Sequence, residues 1–195
     1  IKVILNVHGH ACVCLLVFQD GYKQEVTNTS YNKTLSKKKT PFMATLFSVS
    51  SHEPYILPEK YEGKFPKGDN VMHQCIGYTD YSLKQFFKSA KKQSWYSNTI
   101  FVLVADHDNL IYYDAYYKDQ NSHTVPILFF SPNEKYVGVN NDWAQQIDIY
   151  PTLLDMIGYD KPFRSWGRSL INKDKVSPFV MRYSSDYYQM MSGNY

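Results

Sequence analysis

The sequence predicts an α/β fold, a layered mixed, mostly parallel sheet with helices on both faces. Three observations predict it. Residues 100–105 and 126–130 are almost continuously apolar, the signature of strands buried on both sides. Segments with helical spacing alternate with these runs, and such alternation builds a layered sheet with right-handed crossovers. With 195 residues, 44% hydrophobic and 20% charged, the chain is long enough for one domain with its own core.

The elements follow in order. Residues 2–7 and 11–18 read as short apolar strands, and 19–40, rich in Asn, Thr, Ser and Lys, as loop. Phe42 to Val49 is a strand ending in Ser50-Ser51-His52-Glu53-Pro54. Pro54, Pro58, Gly63, Pro66 and Gly68 make 53–68 an irregular connection. From Asp69 to Lys92 the residues Val71, Ile76, Tyr78, Tyr81, Leu83, Phe86, Phe87 and Ala90 fit a helical stripe, with Asp69 as N-cap. The strand Thr99–Ala105 comes next, then a Tyr-rich polar loop to Ser122, then the strand 125–131. Asp148 caps a helix running to Ile157, with Pro151 in its first turn and Gly158 ending it. Trp143 and Trp166 read as packing anchors, and the tail from Lys173 carries no usable motif.

Composition narrows the function. A net charge of +3 is too mild to argue for nucleic acid, and Lys37-Lys38-Lys39 is the longest run of one sign. Three cysteines, Cys12, Cys14 and Cys75, make no disulfide framework. No apolar stretch reaches the ~18–20 residues that span a bilayer. The start at Ile1, with no charged region ahead of an apolar one, predicts a soluble piece whose beginning is a cut.

The chemistry gathers at strand ends. The run 100–105 stops at Asp106-His107-Asp108, and the strand 42–49 stops at Ser51-His52. Ligands of open α/β sheets collect outside the carboxyl ends of strands, so these two ends are expected to face one crevice. An aspartate with a neutral histidine offers an oxygen and a nitrogen suited to Zn²⁺ or Mn²⁺. The same dipeptide also reads as a polar turn closing a strand. In "HGHACVC", residues 8–14, His8, His10, Cys12 and Cys14 share one face of an extended strand. They span about 20 Å at roughly 3.3 Å per residue, too far for one tetrahedral ion.

"NTIFVLVADHDN", residues 98–109, resembles the "TIFVxxADHG" element of the alkaline phosphatase superfamily, in its sulfatase and lipoteichoic-acid-synthase-like branch. "PFMATLFSVSSHEPYILPEKYEGKFP" (41–66) is similar to that branch's strand leading to Ser-Ser-His and Pro, and "YTDYSLKQFF" (78–87) to its following helix. "VPILFFSPN" (125–133) and "QIDIYPTLLDMIGYDKPFRSWGRSLI" (146–171) resemble its next buried strand, late helix and Gly-Arg-Ser-Leu turn. The order and spacing agree over roughly 35–171.

The resemblance implies an alkaline-phosphatase-like fold and metal-assisted attack of a hydroxyl or modified cysteine on phosphorus or sulfur. It implies Asp106 and His107 as ligands of a divalent metal (Mn, Zn, Ca or Mg). It implies His52 as a substrate-site residue beside the phosphate, although Ser-Ser-His also reads as a hydrogen-bonded turn. Asp108 stands where relatives usually carry Gly or Thr, and either adds a ligand or crowds the site. Some phosphoethanolamine-transferase relatives carry a second-metal histidine close to the position of His123, but one residue nearer the Pro, and a shift of one residue reverses the face of a strand. Arg168 sits in a turn that is mainly structural in relatives.

Residues 1–40 resemble neither the first metal carboxylate nor the nucleophile of the family; Thr27, Thr29, Ser30 and Thr34 lie in polar loop. The expected organisation is therefore a head (1–40), the carboxyl-terminal half of a sulfatase-like catalytic domain (41–171) and a tail (172–195), an incomplete domain in all. The implied function is a fragment of a hydrolase or a phosphoglycerol- or phosphoethanolamine-type transferase. Its expected partners are phosphate or sulfate esters, including glycolipids or polysaccharides, and not nucleic acid. The alternative is an inactive remnant that holds metal weakly. The whole protein is expected to be anchored by amino-terminal membrane helices, its catalytic domain outside the cytoplasm.

Overall fold

The structure is a computed structural model that describes residues 12–19, 32–49, 54–108, 113–118, 121–133, 137–172, 177–184 and 186–193. It divides into two compact units, one over 12–103 and one that takes in 104–195.

The first unit is built on parallel strands. β1 (Cys12–Gln19) pairs with β2 (Met43–Val49) in parallel, Val13 opposite Met43 and Gln19 opposite Val49, and the sheet order is β2-β1-β3, with β3 spanning Thr99–Ala105. Parallel neighbours need a crossover. Part of that crossover, read from sequence as loop, is a helical turn over 32–35. One turn is too short to show a period; tertiary contacts hold it, since Leu35 is buried and the buried Asn32 amide donates to the Phe86 carbonyl at 3.3 Å. The strand expected at 2–7 lies outside the described residues.

The long helix α1 spans Val71–Ala90. Asn70 caps it, not Asp69: the Asn70 side chain accepts from the Met72 N–H at 2.9 Å, while the Asp69 N–H donates to His73 Nδ1 at 3.1 Å. Its buried line is Cys75, Tyr78, Ser82, Phe86 and Ala90, about three and four residues apart as one helix face requires. Val71 and Ile76, counted in the stripe by sequence, are exposed at 60% and 51%. Phe101 of β3 meets the rings of Phe86, Phe87, Trp95 and Tyr96 at centroid distances of 6.2, 5.2, 6.2 and 5.5 Å. The Thr99 hydroxyl, at the start of β3, donates to the Trp95 carbonyl at 2.6 Å and is satisfied in that core.

The second unit begins at the end of β3 and contains β4 (Ile127–Phe130). It also contains helix α2 (Ile149–Met156) and an antiparallel ribbon of β5 (Phe179–Ser184) and β6 (Tyr187–Ser192), Met181 opposite Met190 and Tyr183 opposite Tyr188. The ribbon occupies the tail that sequence left without an element. Trp143 is fastened, its indole N–H donating to the Gly193 carbonyl at 2.8 Å, whereas Trp166 is 93% exposed and anchors nothing. Among the described residues, no helix is long and apolar enough to cross a membrane.

Asp148 precedes α2, but its side chain does not cap that helix. Fully buried, it closes the preceding 3₁₀ turn, Gln146–Asp148, by accepting the Gln145 N–H at 3.0 Å, and it also accepts the Arg168 N–H at 2.8 Å. One turn on, the Thr152 hydroxyl donates to the Asp148 carbonyl at 2.6 Å and accepts the Leu170 N–H at 2.9 Å. The Gly-Arg-Ser-Leu turn is thus a clasp laid across the start of α2. Gly167 is required there, because a Cβ would come within 2.2 Å of the Ile147 carbonyl oxygen. The Arg168 guanidinium donates to the Trp143 carbonyl, so the structural reading of this arginine holds. Gly158, at φ +70°, ends α2 as its position in the sequence suggests.

Replacing Asp148 with alanine strands two part-buried N–H groups, each bonded to a carboxylate. The expected loss is about 3 kcal/mol, read from the midpoint of urea unfolding. A loss under about 0.5 kcal/mol, the size of an ordinary surface change, would show that the clasp does not depend on it.

Candidate metal and substrate site

β3 is buried almost throughout and turns polar at its carboxyl end, where its backbone can no longer be covered on both faces. Asp106 and Asp108 are half-buried there and His107 is exposed. His107 Nδ1 lies 2.5 Å from the backbone carbonyl oxygen of Asp108. A carbonyl can only accept, so Nδ1 carries the proton and donates. In the neutral ring the lone pair is then on Nε2, which stands 3.4 Å from Asp106 Oδ2.

Two acceptors facing each other at that distance repel, unless a proton or a metal ion sits between them. An oxygen and a nitrogen each about 2.0–2.1 Å from one ion, at a tetrahedral angle, lie roughly 3.3 Å apart. The donor set and its spacing therefore fit a divalent ion. A metal-bound histidine also characteristically gives its other N–H to a carbonyl or carboxylate, as His107 does. Among the described residues, no three His, Cys, Asp or Glu side chains come together around one point, so Asp106 and His107 stand as a pair.

Two further residues hold the strand end. The Gln146 amide donates to the Asp106 carbonyl at 2.7 Å and to the Ala105 carbonyl at 3.2 Å. His123 Nδ1 donates to Asp108 Oδ1 at 3.1 Å. His123 and Asp108, each weighed as an added ligand, thus meet each other. Gln146 is the residue that sequence reasoning passes over: a glutamine ahead of a helix gives no sign of bonding a carbonyl 40 positions back. His52 lies outside the described residues, as do His8 and His10. Cys12 and Cys14 are described only as positions in β1.

Against known proteins, the sequence model of the family described as "Sulfatase" matches residues 6–159, starting inside the head set apart above. Lipoteichoic acid synthase 1 of Bacillus subtilis (strain 168) is 30% identical over 184 residues, covering 85% of this chain and 29% of its own length. The chain thus spans less than a third of that relative. Among solved structures, an alkaline phosphatase superfamily protein from Vibrio parahaemolyticus superposes with a TM-score of 0.73 at 24% identity, over 92% of this chain and 53% of that one. A lipoteichoic acid synthase from Listeria monocytogenes gives a TM-score of 0.73 at 16% identity, over 88% of this chain and 55% of that one. These two likenesses carry the fold: an alkaline-phosphatase-like α/β plan.

Gln146→Leu removes both amide bonds to the turn without touching a ligand atom. Amide hydrogen exchange over 105–108 is expected to speed up, while global stability falls by only about 1 kcal/mol, the worth of an ordinary hydrogen bond. Unchanged exchange in that stretch would mean that Gln146 does not hold the turn.

Proposed function

The chain belongs to the sulfatase family, in the lipoteichoic-acid-synthase-like branch of the alkaline phosphatase superfamily, and we propose that it supplies part of a divalent-metal site acting on phosphate or sulfate esters. One observation carries this reading: the Nδ1 bond to the Asp108 carbonyl turns the His107 Nε2 lone pair toward Asp106 Oδ2, 3.4 Å away. The kinship to lipoteichoic acid synthases favours transfer of a phosphoglycerol- or phosphoethanolamine-type group over simple hydrolysis. Zn, Mn, Ca and Mg all suit an Asp-His pair completed by further ligands.

Each residue has a task. Asp106 and His107 hold the ion, which, when bound, activates an attacking hydroxyl and draws charge from the transferring group. The Asp108 carbonyl keeps the imidazole in the ligating tautomer, and Gln146 fixes the backbone from which Asp106 projects. His52, at the end of the segment that continues from β2, is proposed to meet the ester phosphate or sulfate and to give a proton to the leaving oxygen. The whole protein is proposed to be held at a membrane, with this domain outside the cytoplasm.

A second reading has its own support. Catalytic divalent sites commonly take three protein ligands, and the described residues bring two together. In sequence, residues 1–40 resemble neither the nucleophile nor the first metal carboxylate of the family. On this reading the chain by itself binds metal weakly and turns over no ester.

Calorimetric titration of the chain with Mn²⁺ and Zn²⁺, beside an Asp106→Ala, His107→Ala double variant, decides the first point. Binding at roughly micromolar to millimolar Kd, lost in the double variant, is the expected result. Binding indifferent to the two substitutions would remove the site. Hydrolysis of p-nitrophenyl phosphate or sulfate by the metal-loaded chain would overturn the second reading.

A further inference from the structure

The second unit contains a cavity of about 390 Å³ that the metal pair does not use. Three segments line it: the approach to β4, the stretch leading to α2, and residues of the β5–β6 ribbon. Its chemistry is mixed in a particular way. Arg182 brings a guanidinium that donates to Ser122 Oγ at 2.8 Å and to the Gln189 side chain, yet forms no ion pair among the described residues. Trp143 has its N–H committed to Gly193, so what it offers the cavity is ring surface. Asn121, Asn141 and Gln146 add amides; the Gln146 amide nitrogen is engaged by the strand end, and its carbonyl oxygen has no hydrogen bond among the described residues. The sixth residue, His123, has Nδ1 on Asp108, which leaves Nε2 as an acceptor.

A half-buried cation with no ion pair among the described residues, an indole face and several amide groups answer one class of ligand. A guanidinium matches a phosphate or sulfate group in charge and shape. Amide oxygens and nitrogens match hydroxyls, which both donate and accept. An aromatic face receives the C–H side of a sugar or polyol. A purely apolar ligand would leave the guanidinium and amides desolvated at a cost. A bare inorganic anion would leave the indole unused.

We infer that this cavity binds the polyhydroxylated, anionic part of a substrate: a sugar or polyol carrying phosphate or sulfate. It is joined to the metal pair by two of its own lining residues, since Gln146 bonds the Asp106 carbonyl and His123 bonds the Asp108 carboxylate. Calling the ligand a substrate rests on the reading of Asp106 and His107 given above; the binding itself does not.

The test keeps the two apart. The chain, freed of metal with EDTA, is titrated with glycerol 1-phosphate, glucose 6-phosphate and glucose 6-sulfate while tryptophan fluorescence is followed. Glucose and inorganic phosphate serve as the neutral and bare-anion probes. The esters are expected to bind at about millimolar Kd or tighter, each at least about tenfold more tightly than glucose or inorganic phosphate, with Trp143→Phe abolishing the signal. Arg182→Gln is expected to weaken ester binding about tenfold. Because Arg182 also fastens the ribbon, Asn141→Ala at an exposed position is a second variant, expected to weaken the esters several-fold with circular dichroism unchanged. The Asp106→Ala, His107→Ala double variant is expected to bind the esters as the parent does. Equal affinity for inorganic phosphate and the esters, or ester binding untouched by both Arg182→Gln and Asn141→Ala, overturns the inference. Phosphate esters binding without sulfate esters, or the reverse, identifies which of the two groups the cavity takes.

Discussion

The candidate site depends on one buried carboxylate. Asp148 gathers the N–H of Gln145 and the N–H of Arg168, and through its own carbonyl and Thr152 it is tied to Leu170. Burying a carboxylate is costly unless its oxygens are met by donors, and here they are met by backbone from two stretches about 20 residues apart in the chain. That requirement fixes the 3₁₀ turn Gln146–Asp148, and with it the place of Gln146. Gln146 in turn donates to the carbonyls of Ala105 and Asp106. A structural acid and a candidate ligand acid are thus linked by one amide side chain, although 42 residues separate them in sequence.

The candidate site falls at the end of β3 for a reason of the same kind. Parallel strands such as β1 and β2 leave their carboxyl ends pointing the same way, and the loops that leave them are where polar chemistry can be exposed without disturbing a buried sheet. β3 is apolar until Ala105 and acidic at Asp106, so the change of composition marks the place where cover on both faces stops.

How much of this could be read in the sequence depends on what each residue contacts. β3 was readable because a strand covered on both faces is made of consecutive apolar residues, and β1, β2 and β4 because each is a short apolar run of strand length. Asp106 and His107 were readable as a pair because adjacent residues carry their relation in the chain. The ribbon β5–β6 was not: Met181, Tyr183, Tyr188 and Met190 are apolar yet exposed, so no in-out alternation of hydrophobicity betrays it. Two capping residues, Asp69 and Asn70, stand side by side in the sequence, and only the bond from the Met72 N–H to the Asn70 side chain shows that Asn70 is the cap of α1. The cavity was invisible for a stronger reason. Arg182 and Ser122 are 60 residues apart, and neither has a neighbour in the chain that hints at the other. His52 could be read but lies outside the described residues, so its part in the site stands on the family resemblance alone.

Asp108 joins these threads. From sequence it was an extra carboxylate beside a metal, either a third ligand or an intruder. Its two acceptors are in fact divided: the backbone oxygen takes the His107 Nδ1–H, and the carboxylate takes the His123 Nδ1–H. A glycine at this position would still supply the first bond but not the second. The side chain therefore adds nothing to the tautomer of His107, which the backbone already sets. What it adds is a tie from the Asp106–Asp108 turn to the histidine that lines the ribbon's cavity. With the tie from Gln146, this gives two hydrogen-bonded routes between the reacting end proposed for a substrate and the place proposed for the rest of it. The Asp108 carboxylate is turned to His123 rather than left bare, so one of its oxygens already has a donor when a ligand enters the cavity.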